Sequence, residues 1–302
     1  LQERHATSNA QRARAAFGFR GLAAGAANAY DPAVTEAAVT LSPPRSRFGE
    51  LRHAWELLYL LTRRDLKLRY QDTVLGFFWT AAKPLLFGLV VWFALHKALR
   101  VETPIPFHLF LLSALLPWTL FQVSLLFATP LFANNGSLVK KVPFPAYVLP
   151  LATIANNSVH FLLSLPVLVV FLVLDGRIPG PEWLIGVPFL LLVTLALTTG
   201  LALMLSALDV QFRDLEHLVD VMLGLLFYAS PILYPLSAAP DPYDDILKLN
   251  PLAMLLEAWR NLLVANELPG TEILPAIALT AALAAFGWWI FSRLRPTFAD
   301  FL

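Results

Sequence analysis

The stretch NNGSLVKKVPFPAYVLP, Asn134 to Pro150, interrupts two long apolar runs. From Phe107 to Ala133 the chain carries no Asp, Glu, Lys or Arg, and from Ala146 to Leu174 it again carries none. Each run exceeds the roughly 20 apolar residues that cross a bilayer's hydrocarbon core. The interruption therefore reads as a corner outside the membrane, joining two spanning helices. Pro143 and Pro145 fix their own φ and bias the residues before them toward extended backbone. That stiffness holds Phe144 out of both spans. Positive-inside anchoring alone accounts for the pair Lys140 and Lys141, but a rigid corner presenting an aromatic suits docking to another protein.

Composition supports the membrane reading. Of 302 residues, 58% are hydrophobic and only 14% are charged, against about 25% charged in an ordinary soluble domain. The net charge of +1 argues for neither nucleic acid nor an acidic substrate. Cysteine is absent, which excludes disulfides, thiolate metal sites and cysteine nucleophiles. Residues 1–47 are rich in Ala, Arg and Pro without a compact apolar core, and they read as a poorly ordered tail with no secretory signal.

The predicted class is an all-α membrane protein, with a six-span domain over 72–302. The expected spans are Gly76–His96, Phe107–Ala133, Ala146–Leu174, Trp183–Leu208, Leu218–Leu236 and Ile273–Ser292. Helices are the form such runs take, because the backbone must satisfy its own hydrogen bonds in lipid. Pro84, Pro117, Pro150, Pro166, Pro188 and Pro231 predict kinks. With a cytoplasmic amino terminus, Arg63, Arg64, Lys67, Arg69, Lys140, Lys141, Arg213, Arg293 and Arg295 flank the spans on the inside. Lys97, Arg100, Arg177, Lys248 and Arg260 are left outside. The inside set is the larger, so both termini are expected in the cytoplasm.

Two non-spanning elements are predicted. Over 48–71, Leu51, Trp55, Leu58 and Leu61 fall on one helical face, and Arg52, Glu56, Arg63 and Lys67 on another. Such a basic amphipathic helix lies in the headgroup layer and contacts membrane lipids. Between the last two spans, Asn250-Pro251 divides two short helices, and Pro251–Leu263 is too short to span and too apolar to float. A re-entrant or interfacial pair on the outer face is expected.

Catalytic patterns are missing. The chain has no P-loop, H-E-x-x-H or G-x-S-x-G motif. His5, His53, His96, His108, His160 and His217 are scattered, and Asp241, Asp244 and Asp245 read as a solvated loop. Lys83 and Asp220 lie near the cytoplasmic ends of their spans and reach the interface by snorkelling. Neither enzyme activity nor a metal site is expected. Aromatics carry more information. Phe78, Trp79, Trp92, Phe93, Trp118, Phe121, Tyr228 and Tyr234 concentrate in and around the spans. Interfacial belts explain many of them. Trp92, Phe121 and Tyr228 sit away from the span ends, where aromatic faces can cover the apolar faces of sugar rings and let a glycan slide.

Four stretches together resemble one family. RRDLKLRYQDTVLGFFWTAAKP (Arg63–Pro84) looks like the amino-terminal signature of type-2 ABC exporter permeases for polysaccharides and polyol phosphates. LVKKVPFPAYVLP (Leu138–Pro150) is similar to that family's coupling segment. YASPILYP (Tyr228–Pro235) and NPLAMLLEAWR (Asn250–Arg260) resemble its fifth span and outer re-entrant helices. The resemblance implies two copies of this chain with two copies of a separate ATPase, which would carry ATP and Mg, so no cofactor is expected here. It assigns Leu138, Lys140, Lys141, Val142, Pro143, Phe144 and Pro145 to ATPase coupling. Arg63, Arg64, Lys67, Arg69 and Tyr70 would meet the head of a polyprenyl-diphosphate-linked glycan. The aromatics above would line the pathway between the two copies, and Asn250, Pro251, Trp259 and Arg260 would form an outer gate. The implied location is the inner membrane. A permease for a lipid or drug, and a passive channel or scaffold, are the competing readings.

Overall fold

The computed structural model describes residues 47–70, 78–91, 93, 105–141, 145–236 and 250–301. Within them the chain is helical. In order come α1 (Arg47–Tyr70), α2 (Phe78–Val91), α3 (Phe107–Ala128), α4 (Leu131–Asn134), α5 (Gly136–Lys141), α6 (Val148–Leu174) and α7 (Trp183–Asp209). Then follow α8 (Leu215–Tyr228), α9 (Pro251–Arg260), a π turn (Asn261–Ala265), α10 (Leu274–Leu294) and α11 (Phe298–Phe301). The expected tail, except for Arg47, lies outside the described residues.

Four helical stretches are long and apolar enough to cross a membrane: Phe107–Ala128, Val148–Leu174, Trp183–Asp209 and Thr271–Thr297. The other two expected spans appear as α2 and α8, with 14 residues each. At 1.5 Å per residue, each covers about 21 Å of a core near 30 Å thick. At two ends the helix stops well short of the expected boundary. The span predicted to reach Ala133 ends at Ala128, where Thr129 returns its hydroxyl to the Leu125 carbonyl at 2.8 Å and Pro130 follows. The one predicted to reach Leu236 stops at Tyr228, ahead of Pro231, which lacks the N–H needed to continue. Pro117, Pro166 and Pro188 stay inside their helices.

α3 is apolar on every side and is the most enclosed span, 78% buried over its central window. It packs against α6, α7, α8 and α9 around a core that includes Leu109, Trp118, Leu168, Leu197, Leu255 and Trp259. α7 and α10 make the closest pair. A Cβ on Gly287 would collide with the Gly200 carbonyl, and one on Gly200 would strike the Ala284 backbone. Small residues at that crossing let the two backbones touch, which is how apolar helices gain packing energy in lipid.

A second core gathers Ala54, Leu57 and Leu61 of α1 with Phe132, Val148, Leu149, Ala207, Phe291 and Phe298. Thus α1 lies across the beginning of α6 and near the end of α10. Its buried face differs from the sequence expectation. Leu61 is buried and Leu58 partly so, whereas Trp55 is 69% exposed and the small Ala54 takes the contact instead. Against α6 the close approach favours alanine over an indole.

Candidate functional site: an aromatic cleft, its brace and the corner at the opposite end

Between α2, α3 and α8 the surface opens into a cleft of about 360 Å³. Phe87, Trp118, Phe227 and Tyr228 supply rings, and Thr119 and Gln122 supply polar groups. The rings form a chain of edge contacts. Phe227 meets Phe87 at 5.9 Å, Trp118 at 5.6 Å and Tyr228 at 5.2 Å between centroids. Trp118 donates its Nε1–H to Gln122 Oε1 at 2.9 Å, one helical turn away on α3. That bond satisfies the indole and fixes its plane. Gly224 leaves the wall open, since a Cβ there would meet nothing within 4 Å. Tyr228 is 68% exposed at the end of α8.

Of the expected pathway aromatics, the structure brings Trp118 and Tyr228 together here. Phe121 is buried behind Trp118, at 5.9 Å. Phe93 is exposed just beyond α2. Tyr234 lies past the end of α8 and donates its hydroxyl to the Tyr228 carbonyl at 3.3 Å. Trp92 lies outside the described residues, as do the side chains of Phe78 and Trp79. Phe87, Phe227, Thr119 and Gln122 were not singled out in the sequence. Gln122 carried a usable signal: an amide within an apolar span is a functional pointer.

Above the cleft, α9 braces the break after α8. Asn250 caps α9, accepting from Leu252 N at 3.0 Å, and its amide donates to Ser230 Oγ at 3.4 Å. Pro251 occupies the first helical position, where a missing N–H costs nothing. Trp259 is fully buried, donates to Thr194 Oγ1 at 3.0 Å and stands edge-on to Phe161. Arg260 is buried as well. It donates to Glu257 at 2.5 Å, to the Pro231 carbonyl at 2.6 Å and to the Phe110 carbonyl at 3.4 Å, with its guanidinium 3.7 Å from the Phe110 ring centre. Burial lowers its proton affinity from the ordinary value, and Glu257 opposes that. Beyond the π turn, Asn266 accepts from Gly180 N at 2.8 Å, and Trp183 donates to the Leu262 carbonyl at 3.0 Å. Of the four residues expected at an outer gate, Asn250, Trp259 and Arg260 make these internal bonds, and Pro251 starts the helix that carries them.

At the opposite end, α4 and α5 form the corner between α3 and α6. Phe132 anchors it, fully buried against Phe298 at 4.8 Å and Phe291 at 6.1 Å. Asn135 returns its amide to the Leu131 carbonyl at 2.8 Å. Lys140 is exposed, Val139 packs on the second core, and the Pro145 carbonyl starts α6 by accepting from Val148 N at 3.0 Å. Val142, Pro143 and Phe144 lie outside the described residues, as do the side chains of Leu138 and Lys141. On α1, Arg63 and Lys67 are exposed, and Arg64 pairs with Asp65 at 3.0 Å. The side chains of Arg69 and Tyr70 are outside the description. No cluster of three or more His, Asp or Glu able to hold a metal occurs among the described residues.

The family model described as ABC-2 type transporter matches residues 56–264. The chain is 35% identical over 253 residues to the O-antigen export system permease protein RfbA of Klebsiella pneumoniae, covering 83% of this chain and 97% of that protein. It is 36% identical over 250 residues to the RfbA permease of Myxococcus xanthus, covering 81% and 94%. It is 25% identical over 249 residues to the polysialic acid transport protein KpsM of Escherichia coli, covering 80% and 93%. With its bundle of apolar helices, the chain is a multi-pass membrane protein and belongs to the ABC-2 type transporter family.

Proposed function

We propose that the chain is the transmembrane permease subunit of an ATP-driven exporter. It moves a polyprenyl-diphosphate-linked polysaccharide from the cytoplasmic to the outer face of the inner membrane. The observation that carries this reading is the cleft between α2, α3 and α8. The exposed rings of Phe87 and Tyr228, backed by the buried Trp118 and Phe227, offer apolar faces beside the polar Thr119 and Gln122, which is the chemistry that accommodates sugar rings without holding them tightly. The export functions named for the RfbA relatives support the same cargo class.

In this reading two copies face each other across their clefts. α2 and α8 complete the set of six spans with the help of their flanking residues, and both termini lie in the cytoplasm. ATP and Mg bind a separate ATPase subunit, docked on the corner around Lys140 and Lys141. The exposed basic groups Arg63 and Lys67 of α1 meet the diphosphate head as it enters. The brace formed by Asn250 and Arg260 acts as the outer gate by fixing where Tyr228 stands.

Purification from native membranes in mild detergent tests the assembly. An equimolar P-loop ATPase is expected in the eluate. Its reproducible absence from a folded preparation would favour a passive channel or scaffold.

A further inference from the structure

Behind α2, opposite the aromatic cleft, lies a second cavity of about 480 Å³, bounded by α2, α3 and α6. Helical geometry sets the two apart. Phe87 points into the aromatic cleft, while Leu86 and Leu89, a quarter to half a turn away, line the second cavity. Leu112 and Phe171 form its inner wall, and Leu174 lies near its outer end. Among the described residues, the one polar side chain on its lining is His108, at the rim.

The rim position follows from the spans. His108 is the second residue of α3, and Asp175 directly follows α6, so the two mark the same membrane surface. His108 Nε2 meets Asp175 Oδ2 at 2.5 Å, and about a third of each side chain remains exposed. The cavity below them therefore lies at hydrocarbon depth, just under a headgroup layer. Its Leu and Phe walls offer water no partners, and apolar cavities of this kind stay dry. What reaches it sideways from the bilayer is an apolar chain. At the surface, Asp175 spends one carboxylate oxygen on His108 and leaves the other to accept from an ammonium head.

We propose that this groove is a phospholipid site. One acyl chain lies against Leu89, Leu112 and Phe171, and a phosphoethanolamine head rests on the His108–Asp175 pair. The lipid fills the space behind α2 and so sets how far α2 leans toward α8, which fixes the width of the aromatic cleft. The assignment depends on the membrane placement of α3 and α6 and is independent of the cargo.

The test uses the full chain in vesicles of phosphatidylethanolamine and phosphatidylglycerol, doped with phosphatidylethanolamine carrying an acyl-chain diazirine. Crosslinks are expected to concentrate on Leu86, Leu89 and Leu112, in excess over Phe286 and Trp289 on the exposed face of α10. Leu89→Trp, which fills the groove from a position 59% exposed, should abolish the excess. Leu86→Trp, at 57% exposed, serves the same purpose if the first variant misfolds. Asp175→Asn should reduce labelling by the ethanolamine probe and leave labelling by a phosphatidylglycerol probe unchanged. Even labelling of groove and open face would overturn the proposal, as would an excess that survives both tryptophans. Displacement of the label by added polyprenyl phosphate would assign the groove to the cargo's tail instead. No response to Asp175→Asn would refute the headgroup contact.

Discussion

Arg260 donates from Nη2 to the Pro231 carbonyl at 2.6 Å, tying the end of α9 to the segment that follows Tyr228. Pro231 has no N–H of its own, and the break after α8 leaves carbonyls without helical partners. Arg260 supplies one of those partners, while Asn250 at the other end of α9 donates to Ser230. The segment directly after the exposed Tyr228 is therefore held by two residues more than twenty positions further along the chain than Tyr228.

Arg260→Ala should loosen that segment. Removing the guanidinium strips the buried Pro231 carbonyl of its donor and leaves Glu257 without its cation, a loss of about 1–3 kcal/mol for a charged hydrogen bond. Thermal unfolding in detergent should show a lower midpoint, with Arg260→Lys falling between the variant and wild type. An unchanged midpoint for Arg260→Ala would contradict the bracing role.

The α7–α10 crossing makes a different forecast. Gly287→Leu places atoms where the Gly200 carbonyl lies, and backbone cannot yield as a flexible side chain does. Overpacking of about 1–3 kcal/mol or more is expected. The variant should insert but lose its resistance to limited proteolysis, whereas Gly224→Ala, facing open space, should not.

Within the aromatic cleft, burial separates two effects. Tyr228→Ala removes an exposed ring and should slow polysaccharide export while leaving the unfolding midpoint near wild type. Trp118→Ala deletes a side chain only 1% exposed, at a cost of about 3–5 kcal/mol, and should reduce both. Full export by Tyr228→Ala would remove that ring from the pathway.

At the α4–α5 corner, Lys140→Glu combined with Lys141→Glu should uncouple export from ATP hydrolysis with membrane insertion intact. Lys140 is exposed, so folding is not the expected casualty. Export at the normal rate would dismiss the pair as docking residues.

The sequence disclosed its long elements through missing charge. The runs at 107–133 and 146–174 announced α3 and α6, and Asn250-Pro251 announced the start of α9. Helix ends were harder to read. Pro117, Pro166 and Pro188 stay within helices while Pro231 follows a break, and what distinguishes them is tertiary. The carbonyl of Pro231 is taken by Arg260, whose place beside it no local pattern specifies. The same holds for faces. α3 is apolar all round, so periodicity cannot say that Trp118 and Gln122 line the cleft while Phe121 does not. On α1, the choice of Ala54 over Trp55 for the buried side follows from how closely α6 approaches. Phe87 and Phe227 belong to the cleft because α2 and α8 flank α3, a relationship between segments far apart in the chain.

The central claim, that this permease carries a lipid-linked polysaccharide outward, is tested most directly by deleting the chain in its native host and locating the polymer. Loss of surface polysaccharide, with lipid-linked polymer accumulating on the cytoplasmic side and both defects reversed by the intact chain, is the predicted result. Unchanged surface polysaccharide, with no polymer retained inside, would contradict it.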